Sequence, residues 1–316
     1  MSTPEPGSRL MLLDTASLYF RAFHGVPDSF KAPDGTPVNA VRGLLDMIAH
    51  LVTRRRPRRL VACWDEDWRP AFRVAAIPSY KSHRLLNAAR NIEDTPPDLD
   101  AQLPLIVTAL ELLGIARVGA AGYEADDVIG TLATAEAARA PGTADVDVVT
   151  GDRDLFQLVD DAATIRVLYV GRGVRNLEVV DEARLADKYG VAGGDGYADL
   201  AVLRGDPSDG LPGVAGIGEK TAATLLTRFG DMAGIVAAAE DPDSDLGPGP
   251  RGKLKAAADY LLVAPKVVAV ARDLDLDRSG MTRPVTPPDP GRVAELAGRY
   301  NLESPAARLV EALMRD

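Results

Sequence analysis

The sequence Gly122-Tyr123-Glu124-Ala125-Asp126-Asp127-Val128-Ile129-Gly130 places three carboxylates within four positions, directly beside apolar residues. After Asp127 the apolar residues recur at helical spacing, through Leu132 and Ala133, so the acids are predicted at the first turn of a helix. One interpretation is an acidic turn, which the helix dipole tolerates. Because carboxylates this close repel each other, the sharper interpretation is a site for a divalent cation such as Mg²⁺, which prefers oxygen ligands.

Three apolar segments around this stretch, at positions 10–13, 60–64 and 146–150, have the composition of buried strands. Helical patterns separate them, so the sequence predicts an α/β fold with a mostly parallel central sheet flanked by helices. Each strand runs into acidic residues, and ligands of such folds bind at the carboxyl ends of strands. A single acid at the end of a strand is equally well explained as a helix cap. Three strands that each end in acids form a pattern. The acids that follow the strands are Asp14, Asp65, Asp152 and Asp154.

The composition of the 316 residues excludes several classes of protein. A single cysteine, Cys63, rules out a disulfide framework and a cysteine-based zinc site. The chain has only three histidines, so nothing indicates a nucleophilic triad. No apolar run is long enough to span a membrane, and the polar N-terminus is unlike a signal peptide. We therefore expect a cytoplasmic protein.

The distribution of charge indicates an anionic partner. A formal net charge of −10 argues at first against nucleic acid. However, residues 51–90 carry ten Lys or Arg and three acids, a local charge of +7. A solubility patch is one interpretation, and a phosphate-binding face beside the acids is the other. Residues 78–100 are polar and interrupted by proline, which indicates a mobile segment over a site.

The second half of the chain contains a different signal. Asp206 and Asp209 precede a Gly-Val-x-Gly-Ile-Gly turn, which lies between predicted helices and ends at Glu219 and Lys220. Small residues let the backbone approach a phosphate, and the next helix offers free N–H groups. The turn resembles those of helix–hairpin–helix proteins that bind the DNA backbone.

Taken together, the ordered motifs over about positions 9 to 280 resemble the flap endonuclease or 5′-nuclease family, in the form of the 5′-nuclease domain of bacterial DNA polymerase I. The resemblance implies a helical arch over the active site and a C-terminal helix–hairpin–helix region. It implies cleavage of DNA, or of an RNA primer, at a 5′ flap or 5′ end next to a duplex. It also implies a stand-alone monomer that works beside a DNA polymerase and a ligase in replication and repair.

The resemblance assigns the acidic positions to two or three Mg²⁺ or Mn²⁺ ions. Six of them are expected chiefly at the metal pair, whereas Asp127, Asp206 and Asp209 are expected in outer positions or at further ions. Departures from the family pattern are small, with Trp64 in place of Phe and Gly210 in place of Asn. The nine predicted metal ligands are Asp14, Asp65, Glu124, Asp126, Asp127, Asp152, Asp154, Asp206 and Asp209.

The remaining predicted site residues contact the nucleic acid. Lys81 and Arg84 are expected to be catalytic, because they would neutralise charge on the scissile phosphate. Tyr80 would stack on a terminal base or, in the alternative, pack in the core. A K⁺ ion is expected in the helix–hairpin–helix turn by resemblance. The predicted DNA-binding residues are Arg73, Tyr80, Gly213, Val214, Gly216, Ile217, Gly218 and Lys220.

We expect three regions along the chain. Residues 1–185 would form the α/β nuclease core, with the arch at about 74–100, residues 186–280 the helical duplex-binding region, and residues 281–316 a Pro-rich linker and terminal helix. A catalytically silent protein that binds DNA structures is the alternative function, and a Mg²⁺-dependent phosphatase or phosphotransferase is a further one. The phosphatase leaves the helix–hairpin–helix turn and the basic window unexplained.

Overall fold

A computed structural model describes residues 9–139, 142 and 144–315. The first eight residues of the predicted nuclease core therefore lie outside the described residues. The strands in this part of the chain are β1 (Leu10–Asp14), β2 (Arg59–Trp64), β3 (Leu85–Asn87), β4 (Ile92–Glu93), β5 (Ala116–Gly119), β6 (Val146–Thr150), β7 (Ile165–Tyr169) and β8 (Glu178–Val180).

Helices separate the strands in the first half and make up most of the second half. They are α1 (Thr15–Gly25), α2 (Asn39–Arg55), α3 (Ala71–Ala76), α4 (Pro97–Asp100), α5 (Leu103–Leu112), α6 (Ala125–Arg139), α7 (Glu182–Tyr189), α8 (Gly193–Arg204), α9 (Glu219–Phe229), α10 (Met232–Glu240), α11 (Pro248–Ala256), α12 (Ala258–Val268), α13 (Pro290–Arg299) and α14 (Glu303–Met314).

The central sheet has the strand order β5-β2-β1-β6-β7-β8 among the described residues. All neighbouring strands are parallel except β7 and β8, which pair antiparallel. Asp14 at the end of β1 lies beside Cys63 of β2, and Leu13 lies beside Val149 of β6. This register brings the carboxyl ends of three acid-bearing strands to one edge, as the sequence predicts.

The strands of the sheet are buried on both sides, because an apolar layer covers each face. On one face, Val128, Ile129 and Leu132 of α6 pack with residues of the helical second half. On the other face, α1, α2 and α5 contribute to a layer that includes Leu309 and Leu313 of α14. The segment after residue 281 thus returns to the nuclease core, and it contains two helices where the sequence indicated one.

Residues 74–100, where a helical arch was predicted, are α-helical only at their two ends, in the last residues of α3 and in α4. They contain the short hairpin β3–β4, single 3-10 turns at Ser82–Arg84 and Ala88–Arg90, and the four-residue helix α4. Pro96 and Pro97 fit the start of a helix but not its interior. The segment therefore crosses the edge of the sheet as a hairpin with turns, and the expectation of a helical arch is corrected.

The described residues contain no single helix that is long and apolar enough to cross a membrane. One bent pair, Glu219–Phe229 with Met232–Glu240, passes the same criteria of length and composition when its two helices are taken together.

Candidate active site

Most of the predicted acids meet in one cavity of about 830 Å³ at the carboxyl edge of the sheet. The cavity lies where β1, β2 and β6 end and where α6 begins, with the loop after α8 on its other side. Lys81 and Arg84 also line it. The predicted metal ligands that line the cavity are Asp14, Asp65, Glu124, Asp126, Asp152 and Asp206.

Asp14 and Asp65 are held in place by the ends of neighbouring elements. One carboxylate oxygen of Asp14 accepts a hydrogen bond from the backbone N–H of Ser17 at 3.1 Å, and the other accepts from the Thr150 hydroxyl at 2.6 Å. Asp65 accepts from the backbone N–H of Ala125 at 2.7 Å, in the first turn of α6. The bonds of Asp14 therefore tie the end of β1 to α1 and β6, and the bond of Asp65 ties the end of β2 to the start of α6.

Burial and crowding raise the pKa of several of these acids. Burial raises the pKa of Asp14 to about 7, and the charges of Asp65 and Asp152 add to the rise. Burial likewise raises the pKa of Asp65 to about 6, with a contribution from Glu124. The pKa of Asp126 is raised well above its usual range by burial and by Asp14 and Asp152. The folded protein thus keeps these carboxylates together against their mutual repulsion.

The donor set fits hard divalent cations. Asp154 follows Asp152 on the same turn, and its Oδ1 is buried and accepts no hydrogen bond from the described residues. An unsatisfied carboxylate oxygen among repelling acids is what a bound cation would neutralise. No three of the described Asp, Glu, His or Cys side chains form a preformed metal cage, although six of the predicted metal ligands line the same cavity.

Asp206 and Asp209 lie in the loop that follows α8. Asp206 forms an isolated β-bridge with Leu211, and its Oδ1 accepts a hydrogen bond from the backbone N–H of Ser208 at 2.8 Å. Asp209 does not line the cavity but forms an ion pair with Arg84 at 3.1 Å. The structure therefore brings Asp206 to the main group of acids and leaves Asp209 behind Arg84.

Lys81 and Arg84 face the acids as predicted. The Lys81 ammonium donates to Glu124 Oε1, and the Arg84 guanidinium also donates to the carbonyl oxygen of Ser208 at 2.8 Å. Burial lowers the pKa of Lys81, but the charge of Glu124 outweighs this effect and raises it overall. Lys81 therefore stays protonated, with a left-handed backbone at φ 46°, a strained conformation typical of functional sites.

Arg73, Tyr80 and Asp127 are buried and do not line the cavity. Arg73 is 2% exposed and donates to both oxygens of Asp127, at 2.8 and 2.7 Å. Asp127 is fully buried, which leaves no open side for a cation. Tyr80 is 3% exposed, and its hydroxyl donates to Glu124 Oε2 at 2.6 Å. We therefore correct two predictions: Arg73 and Tyr80 do not contact DNA directly, and Asp127 is not a direct metal ligand. All three side chains form the buried support beneath Glu124.

Aromatic side chains on the cavity wall were missed from the sequence. Phe20 of α1, together with Trp64 and Trp68 around Asp65, lines the same cavity as the acids. Their nearness to Asp14 and Asp65 in the sequence was the available signal. Such flat apolar surfaces are suited to nucleotide bases.

The Gly-rich turn connects the loop after α8 with α9. Gly213 and Gly216 have positive φ values of 65° and 75°, which glycine adopts without strain. The side chains of Val214 and Ile217 are buried, so they anchor the turn and only their backbone could reach a DNA strand. Gly218 caps α9 without a side chain, and the exposed Lys220 follows in the first helical turn. This arrangement presents a helix N-terminus to an anion.

A group of acids suited to divalent cations, in one chain with a turn suited to phosphate, is typical of metal-dependent nucleases. Family models agree with this class. Residues 9–190 match the 5′-3′ exonuclease N-terminal resolvase-like domain, and residues 193–290 match the 5′-3′ exonuclease C-terminal SAM fold. The chain belongs to the 5′-3′ exonuclease family, and the predicted family and α/β fold with a helical DNA-binding region are confirmed.

Curated relatives include separate exonucleases and polymerases. The chain is 60% identical over 306 residues to a 5′-3′ exonuclease of Streptomyces coelicolor, which covers 96% of this chain and 99% of that protein. It is 51% identical to a 5′-3′ exonuclease of Mycobacterium tuberculosis, over 97% of this chain and 98% of the relative. It is 36% identical to a DNA polymerase I of Mycobacterium leprae, of which the match covers 31%.

Solved structures with the same fold share little sequence. The T5 D15 protein co-crystallised with metal ions superposes with a TM-score of 0.63 at 18% identity, covering 96% of this chain and 99% of that one. The catalytic core of Rad2 in complex with DNA substrate gives a TM-score of 0.58 at 16% identity, covering 98% and 92%. At these identities the likeness shows the fold, which here is that of proteins solved with metal ions or DNA.

Proposed function

We propose that this protein is a metal-dependent, structure-specific 5′ nuclease that acts on DNA as a 5′-flap endonuclease and a 5′-3′ exonuclease. An RNA primer is a further candidate substrate. The observation that carries the proposal is the cavity that six of the predicted metal ligands share with Lys81 and Arg84. A phosphodiester has room there between groups that bind cations and groups that bind its oxygens. Family membership supports the same reaction.

The chain's own residues divide the chemistry between them. Asp14, Asp65, Glu124, Asp126, Asp152 and Asp154 would hold divalent cations, with Asp206 and Asp209 as outer or additional ligands. Mg²⁺ or Mn²⁺ suits this oxygen donor set. A bound pair of such ions lowers the pKa of an attacking water and stabilises the leaving oxygen.

Orientation and charge compensation come from the surrounding side chains. Ser17 and Thr150 fix the rotamer of Asp14 by their hydrogen bonds. Lys81 and Arg84 bind the non-bridging oxygens of the scissile phosphate and offset the charge that grows on them. To reach the phosphate, Lys81 would exchange its ion pair with Glu124, and Arg84 its ion pair with Asp209, for contacts with the phosphate oxygens.

Duplex DNA would bind at the turn of residues 213–220. The backbone N–H groups at the start of α9 and the Lys220 side chain suit a phosphate, as does Lys253, which donates to the Gly216 carbonyl at 2.8 Å. Carbonyl oxygens of the same turn would hold a K⁺ ion. Such contacts read the backbone and not the bases, so binding would be independent of sequence.

The roles of the three regions and the partners of the protein are part of the same proposal. Residues 1–185 act as the catalytic region, residues 186–280 as the duplex-binding region, and residues 281–316 as the segment that packs back on the core. We expect a monomer in the cytoplasm. Its flaps would be made by a DNA polymerase, and its nicked product would be sealed by a ligase.

A panel of substrates with one common sequence tests the proposal. It contains a 5′ flap, a 3′ flap, a plain duplex and a single strand, each incubated with Mg²⁺. The expected result is cleavage of the 5′ flap near its junction, slower removal of nucleotides from a recessed 5′ end, and an intact 3′ flap. Equal cleavage of the single strand and the 5′ flap would contradict structure specificity.

A further inference from the structure

Arg73 lies at a junction of three elements. It belongs to α3, and its Nη1 donates to Glu124 Oε2 at 2.6 Å while both terminal nitrogens bind Asp127 in the first turn of α6. Its Nε donates to the carbonyl oxygen of Val267 at 3.0 Å, at the end of α12. The last carbonyls of a helix have no partner within the helix, so Arg73 supplies one from another element.

The contacts of Arg73 determine how Glu124 is presented. Glu124 Oε2 accepts from Arg73 and from the Tyr80 hydroxyl, both at 2.6 Å. This leaves Oε1 as the oxygen next to the cavity, where the Lys81 ammonium now lies. Because one oxygen is fixed by two buried donors, the side chain cannot rotate without breaking a charged hydrogen bond.

Asp127 extends the same network into the helical region. Its Oδ1 accepts from the backbone N–H of Ala271 at 2.8 Å, just after α12, and its Oδ2 accepts from the backbone N–H of Glu124 at 3.2 Å. A Cβ added to Gly130 would come within 2.6 Å of the Ala271 carbonyl oxygen, so the two backbones pack closely here. The segment after α12 is therefore fastened directly to the acidic turn.

Helix α12 is in turn part of the region that carries the duplex-binding turn. The Tyr260 hydroxyl of α12 donates to the carbonyl oxygen of Val202 in α8 at 3.0 Å. Helix α8 leads into Asp206 and the Gly-rich turn. A continuous set of hydrogen bonds thus runs from the turn region through α12 to Glu124, and Arg73 is the side chain at its centre.

We propose that Arg73 is a positioning residue of the metal centre: it holds Glu124 so that one carboxylate oxygen faces the cation, and it ties that orientation to the duplex-binding helices. This inference rests on the proposed function for its cation, but it concerns residues that no DNA or metal need touch. Without Arg73, Asp127 would be a buried acid without its cationic partner. Glu124 would keep Lys81 at Oε1, but only the Tyr80 hydroxyl would hold its Oε2, so its orientation would no longer be fixed.

Two variants and one matched control test the role. Arg73→Met removes the guanidinium and keeps a side chain of similar volume. Arg73→Lys keeps the positive charge but cannot form the bidentate hydrogen bonds of a guanidinium. Arg59→Met is the control, because Arg59 also forms an ion pair with a buried carboxylate, that of Glu136 in α6. The side chains of Glu136 and Glu124 are equally buried, each 4% exposed. Binding of Mn²⁺ to each protein without DNA is measured by electron paramagnetic resonance, together with thermal unfolding and flap-DNA affinity in EDTA.

The expected result is that Arg73→Met lowers Mn²⁺ affinity on the order of tenfold, as loss of a residue that orients a metal ligand does. Arg73→Lys gives an intermediate loss, and Arg59→Met lowers the melting temperature but leaves Mn²⁺ affinity unchanged. Flap affinity in EDTA stays at the wild-type value in both Arg73 variants. If Arg73→Met does not fold, Arg73→Lys decides alone.

Wild-type Mn²⁺ affinity in both Arg73 variants would overturn the inference, and so would an equal loss in Arg59→Met. If the proposed function is wrong but the inference about Arg73 is right, the measurements of Mn²⁺ binding and DNA cleavage give a different result. In that case the wild-type protein would bind Mn²⁺ and cleave none of the DNA substrates, while Arg73→Met would still bind Mn²⁺ more weakly.

Discussion

Asp14 illustrates, at the scale of one residue, how the fold places charge where water is scarce. It ends a buried strand, is 5% exposed and lies beside other acids. Its hydrogen bonds from Ser17 and Thr150 favour the charged form, but burial outweighs them and the pKa rises to about 7. A bound cation reverses this balance by stabilising the ionised carboxylate.

Without metal, the free energy of unfolding is therefore expected to fall as pH rises toward neutral. The folded pKa values of Asp14, about 7, and Asp65, about 6, lie above the ordinary value of 3.8. Between these limits the folded protein binds more protons than the unfolded one, so the free energy of unfolding falls as pH rises from about 4 to about 7. Thermal unfolding in EDTA should show this fall, and saturating Mg²⁺ should reduce it. A melting temperature that rises over the same range in EDTA would contradict the assignment.

Lys81 is expected to act on the reaction more than on binding. Lys81→Ala removes the ammonium that compensates charge on the phosphate, so single-turnover cleavage should slow by roughly 100-fold or more. Flap affinity, measured by fluorescence anisotropy, should change little. Lys31→Ala is the control, because Lys31 is exposed and does not line the cavity. Equal losses of rate and affinity in Lys81→Ala would assign it a binding role only.

The residues that sequence reasoning placed correctly are those whose position follows from local pattern. Asp14, Asp65 and Asp152 follow predicted strands, and parallel pairing brings such strand ends together. Arg73 and Tyr80 belong to a basic window that looks exposed. Arg73 is covered by Val267 and Ala269, which lie 194 and 196 residues further along the chain, and no local pattern reveals such contacts.

At the scale of elements, the Gly-rich turn combines two requirements. Buried Val214 and Ile217 hold it against the core, while the glycines keep its outer surface free of side chains. Gly216 has φ 75°, and a Cβ there would come within 2.9 Å of the Lys253 ammonium. The turn thus keeps a smooth surface beside the N-terminus of α9.

A side chain at Gly216 should weaken duplex binding. Gly216→Val strains the left-handed backbone and displaces Lys253, so affinity for duplex DNA should fall while affinity for Mn²⁺ stays unchanged. Gly280→Val is a matched control, because Gly280 has φ 71° and open space around its Cβ position. Electrophoretic mobility shifts would compare the two variants with the wild-type protein. Unchanged duplex affinity in Gly216→Val would refute the assignment of the turn.

The elements that were predicted less well lie between positions 78 and 100. The polar composition and prolines indicated a segment over the site, and Lys81, Arg84 and Glu93 do line the cavity. The resemblance to a family suggested helix there, whereas the chain forms a hairpin and short turns. Short segments of this kind take their conformation from tertiary contacts, such as the hydrogen bond from Lys81 N–H to the Asp209 carbonyl at 2.9 Å.

At the scale of the whole molecule, opposite charges are sorted by position. The chain carries a formal charge of −10, and nine of its 46 acids line one cavity, where cations would offset their charge. The two halves matched by separate family models meet at this cavity, with the acids of β1, β2 and β6 on one side and Asp206 on the other. Under the proposed function, this arrangement would let one region hold a duplex while the other reaches its 5′ strand.

Cleavage of a 5′-flap DNA labelled at its 5′ end tests the central claim most directly. Wild-type protein, Asp152→Asn and the exposed control Asp243→Asn are each assayed with Mg²⁺, Mn²⁺ or EDTA. We predict a labelled product released at the flap junction with either metal and none in EDTA. The product should be lost in Asp152→Asn, which still binds the flap, and kept in Asp243→Asn. Intact flap DNA bound by the wild-type protein in Mg²⁺ and Mn²⁺ would contradict the account and indicate a protein that binds the structure without cutting it.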